Sequence, residues 1–228
     1  MIATGGGLLG GILASLWKPG VKARSALQHF AAGVVLAAVA SDLIPEVEKI
    51  GTPIGILGGF AAGGIVMIGL KWLILKFESR KLPVGLAAAA GFDTLMDGAI
   101  ISAGFSTGQR LGRLLAIALA IELLFLTLSV GSEFHKEKSK HWRGLAVTTG
   151  ISGLLVVGAI SASFLLRNVS EGTLAVVLSF GAAALIYLIA EELLVEAIEA
   201  EESLFSTAML FAGFMVLISL KLVARSDE

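Results

Sequence analysis

"FAAGVVLAAVASDLIPE", residues 30–46, returns in altered form as "FGAAALIYLIAEELLVE", residues 180–196. The two stretches align without a gap. Phe30 meets Phe180, Asp42 meets Glu192, Leu43 meets Leu193 and Glu46 meets Glu196. The same offset lays "AGGIVMIGLK" (62–71) on "AGFMVLISLK" (212–221). Alanine-rich apolar helices agree by chance fairly often, so identities alone weigh little. A register shared by two successive segments, with matched acidic pairs, weighs more. The chain reads as holding an internal repeat.

The surrounding composition sets the solvent for that repeat. Of 228 residues, 56% are hydrophobic and 15% charged, with a mean hydropathy of +0.91. A soluble domain is usually about 25% charged. The charges cluster between long apolar runs, the pattern of an integral membrane protein. Eight segments fit the span of about 20 residues that a bilayer core demands. They run 1–17, 24–47, 53–76, 82–106, 110–134, 143–166, 172–200 and 204–224, the first being the shortest. The first segment has no basic n-region and no small-residue cleavage pattern, so it reads as a membrane helix and not a signal peptide. All breaks are short, with turn or interface chemistry such as "WKPG" (17–20), "ESRKLP" (78–83) and "STGQR" (106–110). Gly55, Gly59 and Gly63 repeat every four residues, as do Gly104 and Gly108. Small residues at that spacing let helix backbones approach closely.

The offset relates the second segment to the seventh and the third to the eighth. Five spans separate each pair, so the two copies face opposite ways. An inverted repeat is a transporter signature, with substrate bound near the midplane between the copies. The expected fold is an all-α membrane bundle in one domain, 1–228. The repeat, 1–77 and 150–228, brackets a central pair of helices over 82–134. Basic residues give the orientation. The breaks after segments one, three and five, with the helix ends, hold eleven lysines and arginines; the opposite face holds six, Lys49, Arg110, Arg113, Arg167, Lys221 and Arg225. The positive-inside rule then puts both termini outside the cytoplasm, in a plasma or inner membrane.

Within the central pair lies "GFDTLMDG", residues 91–98. A carboxylate at the bilayer centre costs roughly 2.5–3.5 kcal/mol or more, and here two stand four residues apart. That spacing puts Asp93 and Asp97 on one helical face. Two anions so close repel and need a cation or a proton between them. Glu122 is the midpoint of segment five. Three carboxylates at one depth on neighbouring helices make a plausible cation site, and Thr94 can add a neutral oxygen. The bland reading is that the acids are protonated and hydrogen-bond between helices. Gly98, next to Asp97, leaves room for a neighbouring backbone.

Two further acidic clusters sit nearer the surfaces. Asp42 and Glu46 end segment two, and Glu191, Glu192 and Glu196 lie toward the inner end of segment seven. Acid pairs at both mouths of one path would attract cations. Glu199, Glu201 and Glu202 read as a solvated helix end. Ser129 and Glu133 continue the Glu122 face inward, as wet positions or as ordinary small and interfacial residues. His29 reads as a packing residue, and His135 and His141 as solvated. The chain has no cysteine, which excludes disulfides, thiolate sites and Cys nucleophiles. The net charge of −1 gives no sign of nucleic acid.

On these residues the chain resembles the ZIP (Zrt/Irt-like) metal transporters over nearly its whole length. That resemblance implies eight helices in a three-two-three inverted repeat. "DTLMDG" (93–98) stands where such proteins have an "HNxPEG"-like motif: Asp93 for the His, Thr94 for the Asn, Asp97 for the acid, Gly98 for the Gly. "ELLFLT" (122–127) stands for an "HExPEG"-like motif, with Glu122 alone retained as a ligand. "DLIPE" (42–46) is similar to a frequent "HLLPE", and Glu191 and Glu192 to exit residues. No His remains in segments four or five, Leu126 replaces the second acid, and segment six has no carboxylate. The resemblance therefore implies one oxygen-rich site, not a two-metal centre.

The expected function is transport of a divalent cation of the zinc, iron or manganese type into the cytoplasm by alternating access. It would enter past Asp42 and Glu46, bind Asp93, Asp97 and Glu122, and leave past Glu191 and Glu192. All-oxygen ligands suit harder ions such as Mn²⁺, Mg²⁺ or Ca²⁺, although zinc accepts carboxylates. No catalytic residue and no cofactor are expected; the partners are the cation, the bilayer and, in a homodimer, a second copy of the chain. One alternative is a ZIP-fold protein that moves no divalent metal, a proton-linked carrier of another solute or a scaffold. A remoter one is an intramembrane aspartyl protease, which the missing "GxGD" pattern and the shared helix face of the aspartates disfavour.

Overall fold

The structure, a computed structural model, describes residues 2–17, 19–77, 84–134, 141–193 and 204–226. Among these residues every regular element is helical and there is no strand. In chain order they are α1 (Ile2–Leu16), α2 (Val21–Ala38), a π turn (Val39–Leu43), α3 (Ile44–Ile50), α4 (Pro53–Phe77), α5 (Val84–Thr107), α6 (Gln109–Phe134), α7 (His141–Leu165), α8 (Glu171–Leu188), a second π turn (Ile189–Leu193) and α9 (Leu204–Ser226).

Among the described residues, six helical runs are long and apolar enough to cross a membrane: Val21–Ile50, Pro53–Leu73, Gln109–Ser132, Trp142–Leu165, Glu171–Glu191 and Leu204–Val223. The protein is a multi-pass membrane protein. Two of the eight expected segments differ from these six. The 15 residues of α1 are too few for a full span. α5, at the fourth expected segment, has 24 residues, enough in length for a span.

Local chemistry sets the element ends. Pro53 opens α4, where its missing N–H costs nothing. Ser170 caps α8 by accepting the Thr173 N–H at 3.2 Å. Gly51, extended at φ −101° and ψ 160°, ends α3. Between α5 and α6 only Gly108 is not helical, so the expected break at 106–110 narrows to one residue. The first π turn precedes Pro45, which cannot donate to the carbonyl four residues back. The second has Val at the corresponding position 195, so proline alone does not explain the π turns.

Glycines bring the backbones together. Gly6 and Gly10 of α1 lie against the Ala120 and Leu124 carbonyls of α6; Gly7 and Gly11 lie against Ser152 and Thr148 of α7. The Thr127 hydroxyl reaches the Gly7 carbonyl at 2.9 Å in the same contact. Gly59 and Gly63 of α4 lie against the Val176 and Phe180 carbonyls of α8, so the stripe anticipated on this segment packs internally. Gly104 faces Leu115 and Gly112, whereas Gly108 faces open space as the turn residue.

The helix pairs follow the sequence offset. α2 packs on α9, and α4 packs on α8. Gly213 of α9 lies against the Phe30 carbonyl of α2, and Gly63 of α4 against the Phe180 carbonyl of α8. These are one contact made at two equivalent places in the repeat, with the copies exchanged. Both π turns obey the same offset. α6 is the most enclosed span, 72% buried against 17% for the α4 and α9 spans. Leu115, Leu119 and Leu123 are fully buried on it, and Phe125 stacks edge-on to Phe30 of α2, centroids 6.3 Å apart.

Candidate functional site

The turn at Gly108 sets the depth of the central acids. Counting back from it along α5, Asp97 comes first and Asp93 one helical turn later. Counting forward along α6, Glu122 comes at a sequence distance between those two. Both arms rise equally per residue, so Glu122 falls at a height between the two aspartates on the facing arm. The structure brings all three together. Asp93, Asp97 and Glu122 are buried, at 5%, 1% and 1% exposure. Each offers a carboxylate oxygen within 4.8 Å of the others. Two full charges at that separation repel by about 3.5 kcal/mol at an effective dielectric near 20. Such a set is stabilised by a bound cation or by protons shared among the oxygens.

α7 closes a third side. Gly98 sits against the Leu155 carbonyl of α7, and Gly158 of α7 sits against the Leu95 carbonyl of α5. The room left by Gly98 is thus filled by backbone. Thr94 is fully buried and its hydroxyl donates to the Ala90 carbonyl at 2.7 Å. Its proton is committed to its own helix, so only the oxygen lone pairs remain for a cation.

One helical turn beyond Asp97 a cavity of about 650 Å³ begins. Ile101, Ser102 and Phe105 of α5, Ala116 of α6 and Leu155 of α7 line it, with Arg167 among the wall residues. Leu155 therefore touches both the cavity and the glycine beside the acids.

The outer acids are not bare. Asp42 pairs with Lys221 at 2.8 Å through Oδ1 and accepts from the Ser41 hydroxyl at 2.7 Å through Oδ2. Lys221 also donates to the Ser41 carbonyl at 2.6 Å. Glu46 pairs with Lys49 at 3.4 Å, and Glu191 pairs with Lys71. The backbone of Glu192 lies in the second π turn; its side chain, and Glu196, Glu199, Glu201 and Glu202, lie outside the described residues. The same holds for the Glu133 and His141 side chains and for His135. Ser129 is buried at 2% exposure. His29 Nδ1 donates to the Ser25 carbonyl at 2.9 Å, a packing role as its position suggested.

Sequence reasoning missed Lys71 and Lys221 as partners of these acids and counted them only as signs of orientation. The signal was present, since the two stretches 62–71 and 212–221 both end in Lys. It also passed over the glycines of α1, which order the α1, α6 and α7 contact.

Scanned against models of known protein families, the sequence matches none, and no curated protein matches it.

Proposed function

We propose that the protein carries a divalent cation across the membrane into the cytoplasm by alternating access. The fold behind this reading is an eight-segment, three-two-three inverted repeat of the ZIP type, in a plasma or inner membrane with both termini outside. The observation that supports it most is the trio Asp93, Asp97 and Glu122, buried on two helices with oxygens within 4.8 Å. A multi-carboxylate site in a membrane is costly unless it serves a charge that passes. The oxygen-only donor set favours a hard ion, Mn²⁺, Mg²⁺ or Ca²⁺, over zinc. Asp42 and Glu46 serve the outer mouth, Glu191 and Glu192 the inner one, and Thr94 adds an oxygen at the centre. The transported ion is a substrate and no resident cofactor is needed. The test is uptake of each ion by proteoliposomes holding the wild type or Asp97→Asn. Equal uptake by the two proteins sinks the reading.

A second reading is favoured by the absence of histidine from α5 and α6 and by Leu126 in place of an acid. In it the same carboxylates exchange protons only, and the protein carries another solute or serves as a scaffold. A ligand that binds the native state raises its apparent stability. Thermal unfolding unmoved by any divalent ion would favour this second reading.

A further inference from the structure

Two lysines stand at one repeat position, Lys71 and Lys221, and each reaches the π turn of the other copy. Lys221 on α9 holds the turn Val39–Leu43, and Lys71 on α4 holds the turn Ile189–Leu193. Both ammonium groups also reach the same repeat position within the turn. At Ser41 the acceptor is the backbone carbonyl; at Glu191, its equivalent in the second copy, it is the carboxylate. A relation repeated in both copies, between the same elements, is not an incidental surface pair. π turns within α-helices occur frequently at functional sites.

We infer that Lys71 and Lys221 are gate residues, each a tethered cation that shuts one end of the path by occupying the acids of a π turn. The inference rests on the carrier reading above. It explains why the mouth acids are filled: a lysine ammonium holds the place that an arriving cation must take. The two gates differ in shelter. Side-chain exposure is 24% and 8% for Lys221 and Asp42, but 42% and 41% for Lys71 and Glu191. The Lys221 gate is the more sheltered of the two. Its ammonium is held by the Ser41 carbonyl and the Asp42 carboxylate, and the Ser41 hydroxyl steadies that carboxylate in turn. The Lys71 gate is the more exposed. A carrier with one end closed and the other loosened has this asymmetry.

The native chain has no cysteine, so a single introduced thiol reports alone. Ala38, one turn from Asp42, and Ala184, two turns from Glu191, are both buried. Proteoliposomes holding Ala38→Cys or Ala184→Cys are treated with a membrane-impermeant maleimide, with and without gate substitutions. Lys221→Met should speed labelling at Ala38→Cys about tenfold and leave Ala184→Cys nearly unchanged. Lys71→Met should act on Ala184→Cys alone, by about two- to threefold. Lys221→Arg, and the charge swap Lys221→Asp with Asp42→Lys, should restore protection at Ala38→Cys. Labelling at the wild-type rate in Lys221→Met, equal opening of both positions, or failure of the swap to restore protection overturns the inference. Cation uptake is measured separately on the same vesicles. Gated labelling without uptake of any divalent ion leaves the gates standing and removes the metal from the carrier reading.

Discussion

The Lys221 ammonium donates to the Ser41 carbonyl at 2.6 Å, an acceptor that lies four residues before Pro45. In a regular helix that carbonyl takes the N–H of the fourth residue on, and proline has none. The chain is in π register here, the Ile44 N–H reaching the Val39 carbonyl five residues back, and the lysine on α9 adds a donor to the turn while the same group neutralises Asp42.

Restoring the N–H should therefore compete with the lysine. Pro45→Ala is expected to change stability by no more than about 1 kcal/mol, because one donor replaces another. It should weaken the hold of Lys221 on the turn and raise labelling at Ala38→Cys by about two- to threefold. Labelling below the wild-type rate would argue that the ammonium does not serve this carbonyl.

Removing the ammonium groups should cost unequal amounts. Lys221→Met strands a nearly buried Asp42 and is expected to cost about 1–3 kcal/mol, short of the full cost of breaking a wholly buried pair. Lys71→Met, at a half-exposed pair, should cost less than about 1 kcal/mol. Thermal unfolding in detergent compares them, and equal losses would contradict the difference in shelter.

The central acids make a prediction of opposite signs. Without added cation, Asp97→Asn removes like-charge repulsion and should raise the unfolding temperature. With a cation at about 100 times its dissociation constant, the wild type should gain about 2.7 kcal/mol, and Asp97→Asn or Glu122→Gln little of it. Thermal shifts over Mn²⁺, Mg²⁺, Ca²⁺ and Zn²⁺ read both effects. Wild type and variants responding alike would place the ion elsewhere.

The crossing of α5 and α7 should tolerate no added methyl. Gly98→Ala and Gly158→Ala each drive a Cβ into a backbone carbonyl, that of Leu155 or Leu95. Each is expected to cost about 1–3 kcal/mol, as overpacking does. Gly58 and Gly64 of α4 face open space, so alanine there should be neutral or stabilise by up to about 1 kcal/mol. Unfolding midpoints of the four variants decide it.

How far these features were legible depends on whether they lie along the chain or across it. Spans show as apolar runs, and the depth of Asp93, Asp97 and Glu122 follows from counting along two adjacent runs. The repeat ties Phe30 to Phe180 before any contact is known. It does not say that the Phe30 carbonyl meets Gly213, because the contact exchanges the copies. Lys71 and Lys221 were hidden for the same reason: an ion pair between residues far apart in the chain leaves no trace in local spacing. The glycines of α1 were in plain view as "GGG" and "GG", but a glycine run looks the same whether it loosens a helix or seats one.

A one-residue turn at Gly108 has an effect on the chemistry of the acids far from it. Both arms that bear Asp93, Asp97 and Glu122 leave that turn directly, and Gly104 packs beside Gly112 just past it. With so little slack, the arms resist sliding past each other, and in the carrier reading proposed above the hairpin would travel as one piece. An ion lodged among the three carboxylates would then keep the same ligand distances whichever side it faced. In the carrier reading, preference among ions would be written into the hairpin, and the lysines at the rims would govern only when, and toward which side, that preference is exercised.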